Sequence, residues 1–367
     1  MSSFTFKQIT RTAINRRALL ALAGITTVAG TFTYQTLNNN NNFNNNNNQN
    51  NYSKTTKTLA SAATLNAALS DSHSEKDYQQ VYNAIANQIR EYDEYDGAIG
   101  FGPALVRLAW HLSGTFVGPV GCPHISGGSF GGTIRLPKEA SDPANNALEN
   151  ARWVLEPVKK QFSWISYGDL YTLAGVTAVQ EMGGPKIGWR AGRKDLGVEY
   201  ASTGKLPDAS RDADYIRSLF VKRMGFTERE TVALIGAHAL GSCHVQAPVL
   251  PGATKSQGVG SGYTGRWTAA PNFFTNEFYR LLLEDKWTPK KWDGPFQYEN
   301  KDELMMLPTD MALVQDASMK KLVVEYAKDQ EKFFKDFAPA FKKLLELGID
   351  FKGNKTYEFK TLDEQDL

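Results

Sequence analysis

Cysteine is scarce: Cys122 and Cys243 are the only two in 367 residues. That excludes a disulfide framework and leaves one bridge possible but not favoured. Histidine is nearly as sparse, with five in the chain. Acid is absent from residues 1–70, whose only charges are Lys7, Arg11, Arg16, Arg17, Lys54 and Lys57. Without those six, 35 basic residues face 39 acidic ones, a balance of −4. A mildly acidic body argues against nucleic acid and permits a basic protein partner. No internal repeat is present. The uncharged apolar run at 18–34 has 17 residues, the lower limit for spanning a bilayer.

What is there falls into two parts. Residues 1–17 are basic and rich in hydroxyls, with Phe4, Phe6, Ile9 and Ile14 interspersed, the composition of a mitochondrial presequence. The apolar run behind it suggests import arrested at the inner membrane and release into the intermembrane space, with the matrix as the lesser alternative. A secretory signal peptide and a retained membrane anchor are the competing readings. Residues 38–51 are asparagine broken only by Phe43 and Gln49, a tract that cannot bury enough apolar surface to fold. The expected division is therefore 1–70 for presequence, apolar sorting segment and linker, and 71–367 for one globular domain. The leader's membrane contact is expected to be transient.

From about Asp77 the texture becomes helical. Tyr82, Ile85 and Ile89 form the stripe of a first amphipathic helix. Further helices are predicted over 104–112, 147–162, 167–181, 212–224, 231–240, 273–283, 311–314 and 318–347. Strand signals are few, and glycine-rich connections hold them. The fold class is mainly α with a small amount of β structure.

Two stretches carry chemistry. In a helix over 104–112, Arg107, Trp110 and His111 stand at i, i+3 and i+4 and share one face. A guanidinium, an indole and an imidazole on one rigid platform suit the deprotonation of a bound molecule and stabilisation of its departing negative charge. The second stretch runs from Thr227 to Gly241. Thr227 with Glu230 predicts a capping box, Gly241 a stop, and His238 lies near the helix end. The small residues Gly236, Ala237 and Ala239 are expected to leave room beside its ring for a large flat object. Asp310, just before a helix, reads by itself as a helix cap. Zinc held by Cys122, His124, Cys243 and His244 is a weaker idea, because the spacings fit structural sites poorly.

Taken together, RLAWH at 107–111 and ETVALIGAHALG at 230–241 resemble the signatures of the haem peroxidases of the plant, fungal and bacterial superfamily. Further runs (GGSFGGT at 127–133, WISYGDL at 164–170, AVQEMGGPKI at 178–187, LPDA at 206–209, MMLPTD at 305–310 and FKTLDEQ at 359–365) are most similar to its mitochondrial cytochrome c peroxidase branch. The resemblance spans the chain from about Asp77 to its end. It implies two helical halves with one haem b between them, and reduction of hydrogen peroxide by ferrocytochrome c through an oxyferryl iron and a tryptophan radical. Carried over, His111 is the base that moves the peroxide proton, Arg107 stabilises the leaving oxygen, and Trp110 shapes the pocket. Asn145 raises the basicity of His111. His238 is the axial iron ligand, Asp310 accepts its other N–H, His244 lies near a haem propionate, and Trp267 is the indole that is oxidised. Asp93, Glu94, Asp363 and Glu364 match positions that meet cytochrome c, with Ala269 and Ala270 on the electron route. Ascorbate-type peroxidase and a haem-based peroxide sensor are the alternatives. Three departures from the family pattern stand out: the longer loops 116–126 and 245–260, and Arg266 where a proline or small residue is usual.

Overall fold

The computed structural model describes residues 68–70, 72–118, 127–256, 258–351 and 353–365. The presequence, apolar run and asparagine tract lie outside the described residues, as do Cys122 and His124. The chain is already tied down at Ala68 and Leu69, whose N–H groups donate to Asp350 and Gly192 carbonyls at 3.0 and 2.8 Å. Gly192 has φ 128°, and a Cβ there would lie 2.8 Å from the Leu69 carbonyl, so glycine is what lets this segment cross.

Ser74 opens α1, Glu75–Glu91, by a reciprocal cap: each of Ser74 and Asp77 accepts the other's backbone N–H on its side chain. Helix α2, Gly102–Gly114, starts on Pro103, whose missing N–H has no partner to lose in the first turn. After α3, Leu148–Gln161, comes α4, Tyr167–Glu181, buried from Gly168 to Gln180. A Cβ on Gly175 would come within 2.4 Å of the Ala109 Cβ, so α4 and α2 pack with only the Ala109 methyl between them there. With one face of α2 locked there, Arg107, Trp110 and His111 turn to the other side.

The second half begins with α5, Ala213–Ile216, which widens into a π-helical stretch, Arg217–Arg223. Helix α6, Glu228–Ile235, runs into a 3-10 turn, Gly236–Ala239, that carries His238. Then come α7, Glu277–Glu284, α8, Pro308–Gln315, α9, Ala317–Lys328, and α10, Gln330–Glu346. Strands β1, Ser242–Cys243, and β2, Gly265–Arg266, pair antiparallel, Ser242 opposite Arg266. Strands β3, Thr288–Pro289, β4, Tyr298–Glu299, and β5, Met305–Met306, form a small antiparallel sheet in that order. The fold is mainly α, in two helical halves. Among the described residues no helix is long and apolar enough to cross a membrane.

Several boundaries differ from expectation, each for a local reason. The helix predicted over 318–347 is two, broken at Asp329, whose extended backbone and side-chain bond to the Lys332 N–H start a new helix. The helix predicted over 212–224 is mostly π-helical, closed by the Met224 N–H on the Leu219 carbonyl, a wider turn that no hydrophobic period signals. The helix predicted from 231 starts at Glu228, because Thr227 and Glu230 do form the capping box. The long loop 245–260 closes as a hairpin, Gln246 opposite Val259, with the Gly260 N–H on the Val245 carbonyl.

Candidate active site

A cavity of about 520 Å³ lies between the two halves. Helix α2 brings Arg107, Trp110 and His111 to its lining, and the turn after α6 brings Ala237 and His238. Trp267, His244, Cys243 and, from α10, Phe341 and Leu344 also line it.

The segment after Asp142 organises the α2 face. The Asp142 carboxylate accepts the Ala144 N–H, and a 3-10 turn, Pro143–Asn145, follows. The Asn145 amide nitrogen donates to the Glu139 carbonyl at 2.9 Å, which turns its oxygen toward His111 Nδ1, also at 2.9 Å. An amide oxygen can only accept, so Nδ1 carries the proton and Nε2 is bare. Burial and the Arg107 charge hold the His111 imidazole well below its ordinary value, while the Asn145 bond pulls the other way. His111 is therefore a neutral base. The Arg107 guanidinium donates to the Ala144 and Asn146 carbonyls, both at 2.9 Å. One turn of chain thus positions both groups, and Ala147, at φ 67°, accepts a left-handed backbone to make it. Trp110 stacks on Phe220 of the π-helical stretch, ring centres 5.5 Å apart at 13°.

The other side is organised by one carboxylate. Asp310 is fully buried in the first turn of α8. Its Oδ1 accepts from His238 Nδ1 at 2.8 Å, and its Oδ2 accepts from Trp267 Nε1 and the Leu307 N–H, both at 2.8 Å. Asp310 does not precede the helix as its N-cap: α8 starts at Pro308 after the N-cap Leu307, and Asp310, third in the helix, accepts the Leu307 N–H while also meeting His238. His238 and Trp267 lie nearly parallel, ring centres 4.4 Å apart at 14°. Because a carboxylate takes the Nδ1 proton, His238 Nε2 is left with its lone pair and no hydrogen-bond partner among the described residues. Burial pushes the Cys243 thiol up to about 11, so it stays protonated and does not compete as a thiolate ligand. His244 Nε2 lies 2.8 Å from the Asp96 carboxylate, which a left-handed turn at Asp96 and Gly97 directs toward the cavity.

Of the small residues beside His238, only Ala237 lines the cavity. Gly236 is small for a different reason: a Cβ there would sit 2.1 Å from the Tyr279 hydroxyl, which donates to the Val232 carbonyl at 2.8 Å. Ala239 is buried, and its carbonyl accepts from the Thr268 hydroxyl. Arg266 is exposed while Trp267 is buried, successive residues of extended chain facing opposite ways. Sequence reasoning missed the Glu139, Ala144 and Asn146 carbonyls, Phe220 and Asp96. Only Asp142-Pro143 carried a local signal, a turn, with nothing to say what it faces.

A peroxidase family model matches residues 78–329. The mitochondrial cytochrome c peroxidase of Candida glabrata is 52% identical over 311 residues, 84% of this chain and 82% of its own. That of Yarrowia lipolytica is 52% identical over 306 residues, 82% of each chain. That of Aspergillus fumigatus is 50% identical over 291 residues, 78% of this chain and 74% of its own. The chain belongs to the peroxidase family.

Proposed function

We propose that this peroxidase holds one haem b in the cavity and reduces hydrogen peroxide to water with electrons from ferrocytochrome c, in the mitochondrial intermembrane space. The observation that carries the reading is the pair of imidazoles wired in contrasting ways. His111 gives its Nδ1 proton to a neutral amide oxygen, which leaves a free base beside a guanidinium. His238 gives its own to a buried carboxylate, which increases electron donation at Nε2 and suits it to ligate iron. The donor set fits a haem: an unpartnered imidazole nitrogen in a cavity walled by Pro103, Val106, Leu148 and Phe220.

When bound, haem supplies the electrons that cleave the O–O bond. His111 Nε2 would take the proton from the peroxide oxygen that is retained and deliver it to the departing oxygen, which then leaves as water. Arg107, fixed on two carbonyls, offers its positive charge to that departing oxygen without reorganising. Asp310 orients His238 and, through the Trp267 N–H, places a negative charge where positive charge on the indole is favoured. Trp267 is thus the residue that gives up an electron and is refilled by the partner. Arg266, exposed and screened, opposes this weakly. His244, held by Asp96, is placed to meet a haem propionate.

A basic cytochrome c suits the mildly acidic body. Asp363 is paired with Arg90 at 2.6 Å and Glu364 with Lys186 at 2.8 Å, so of these four acids Asp93 and Glu94 are the two with no ion pair among the described residues. The acid-free leader and the relatives named mitochondrial support the location.

The test is haem-loaded protein mixed with one equivalent of peroxide, then ferrocytochrome c or ascorbate in parallel. The expected result is a rapid peroxide reaction and preferential oxidation of ferrocytochrome c. His111→Leu should slow the peroxide reaction by about 10²–10⁴-fold. Trp267→Phe should leave that reaction and abolish most ferrocytochrome c oxidation. A His111→Leu protein with full peroxide reactivity, or preference for ascorbate, overturns the reading.

A further inference from the structure

Four aromatic rings, Tyr95, Phe101, Trp153 and Tyr92, lead from the cavity to the surface. Tyr95 lines the cavity. Its ring lies flat on Phe101, centres 3.8 Å apart at 8°. Phe101, fully buried, lies 6.1 Å from Trp153 and 5.9 Å from Tyr92, and those two are 5.7 Å apart. Trp153, on α3, is 38% exposed. We propose that Trp153 is a second oxidation site of this peroxidase, which draws on the cavity through Phe101 and Tyr95 and takes electrons at the surface from small phenols.

The inference rests on the peroxidase reading above, which supplies the oxidant. Electron transfer needs an oxidisable end group, closely packed rings between, and access for a donor. Trp153 is the oxidisable end group. An indole can lose an electron while keeping its N–H proton, whereas a phenol must shed its proton to do so readily. Burial pushes the Tyr95 hydroxyl up to about 12, and the Asn150 amide donates to its oxygen at 2.8 Å. The Asn150 bond pulls the value down, but burial outweighs it, so Tyr95 keeps its proton and serves as a bridge. On the surface, Glu149 and Glu156 stand at i−4 and i+3 from Trp153 along α3, where their charge favours an indole radical cation. The acidic residues Glu91, Asp93 and Glu94 flank Tyr92.

The steps balance. Trp153 passes one electron inward and becomes the radical cation. A phenol returns one electron to Trp153, releases its proton to water and leaves as a phenoxyl radical. Two such events match one peroxide reduced to two waters.

A larger ring cluster supplies an internal control. Trp164 is as exposed as Trp153, at 37%, and packs with Tyr78, itself 5.2 Å from Trp189. None of these rings lines the cavity.

The experiment treats haem-loaded protein with excess peroxide and a nitroso spin trap, without cytochrome c, and maps adducts by peptide mass spectrometry. Guaiacol and ferrocytochrome c oxidation are measured on the same samples. The expected adduct is on Trp153 and not on Trp164. Trp153→Phe should remove it and lower guaiacol oxidation several-fold, with ferrocytochrome c oxidation unchanged. Phe101→Leu, which keeps an apolar though smaller side chain and removes the ring, should lower the Trp153 adduct several-fold. Adducts on Trp164 at the level of Trp153, or guaiacol oxidation unchanged in Trp153→Phe, overturn the inference. Wild-type protein that fails to consume peroxide overturns the peroxidase reading instead.

Discussion

At the residue scale, the site depends on which nitrogen of each histidine is already engaged. Asn145 and Asp310 both bind an Nδ1, but one is a neutral acceptor and the other a buried carboxylate. The same ring therefore becomes a free base at position 111 and an electron-rich imidazole at position 238. The depressed His111 value gives a pH prediction with a definite sign. A base works when unprotonated, so the peroxide reaction should stay level from neutral pH down through the ordinary histidine range. It should fall only well below it. Asn145→Ala removes the bond that raises the value, so the acid limb should move to still lower pH while the plateau rate drops. Stopped-flow rates against pH, for wild type and variant, check both. An acid limb at the ordinary histidine value would show that His111 is not the buried neutral base described above.

At the element scale, short irregular pieces do the positioning that helices cannot. The 3-10 turn Pro143–Asn145 sets Asn145 and presents the carbonyls that fix Arg107. The 3-10 turn Gly236–Ala239, packed at Gly236 on the Tyr279 hydroxyl, carries His238 beyond the end of α6. Gly236→Ala should force the Tyr279 ring or the turn to move and cost about 1–3 kcal/mol. Gly183→Ala, with nothing within 4 Å of the added Cβ but φ 85°, should cost about 1–2 kcal/mol from backbone strain alone. Urea denaturation of the apoprotein compares the two. Only Gly236→Ala should also weaken haem retention, because it alone disturbs the element that carries His238.

At the scale of the whole molecule, one buried ion pair ties distant segments together. Arg193 donates to the Asp169 carboxylate at 2.9 Å, to the Ser129 hydroxyl at 3.0 Å and to the Leu345 carbonyl at 2.7 Å. Asp169 also accepts the Gly192 N–H, next to which residues 68–69 cross. Asp169→Ala leaves a guanidinium buried without its counter-charge, and should cost about 3–5 kcal/mol. The loss should hardly change between low and high salt, since a buried pair is poorly screened. A loss below about 1 kcal/mol, or one that salt abolishes, would place the pair effectively at the surface.

Much of the site was legible because its parts are local. The i, i+3, i+4 spacing of Arg107, Trp110 and His111 puts them on one helix face wherever the helix goes, and all three reach the cavity. The Thr227–Glu230 cap and the Gly241 stop are likewise properties of a few adjacent residues, and they bracket His238. The Asp329 break and the π-helical turn were missed because a cap in mid-pattern and a widened turn leave the hydrophobic period nearly intact. By itself, then, the sequence determined the mainly helical class, an acid-free first 70 residues against a mildly acidic remainder, and that Arg107, Trp110 and His111 share one helix face. Tertiary structure alone decided what state those side chains are in. Asp310 reaches His238 across 72 positions, Asn145 reaches His111 across 34, and Phe220 closes on Trp110 from another element. Contacts at such separations obey no local period. They exist only once packing has removed water and fixed the partners in place.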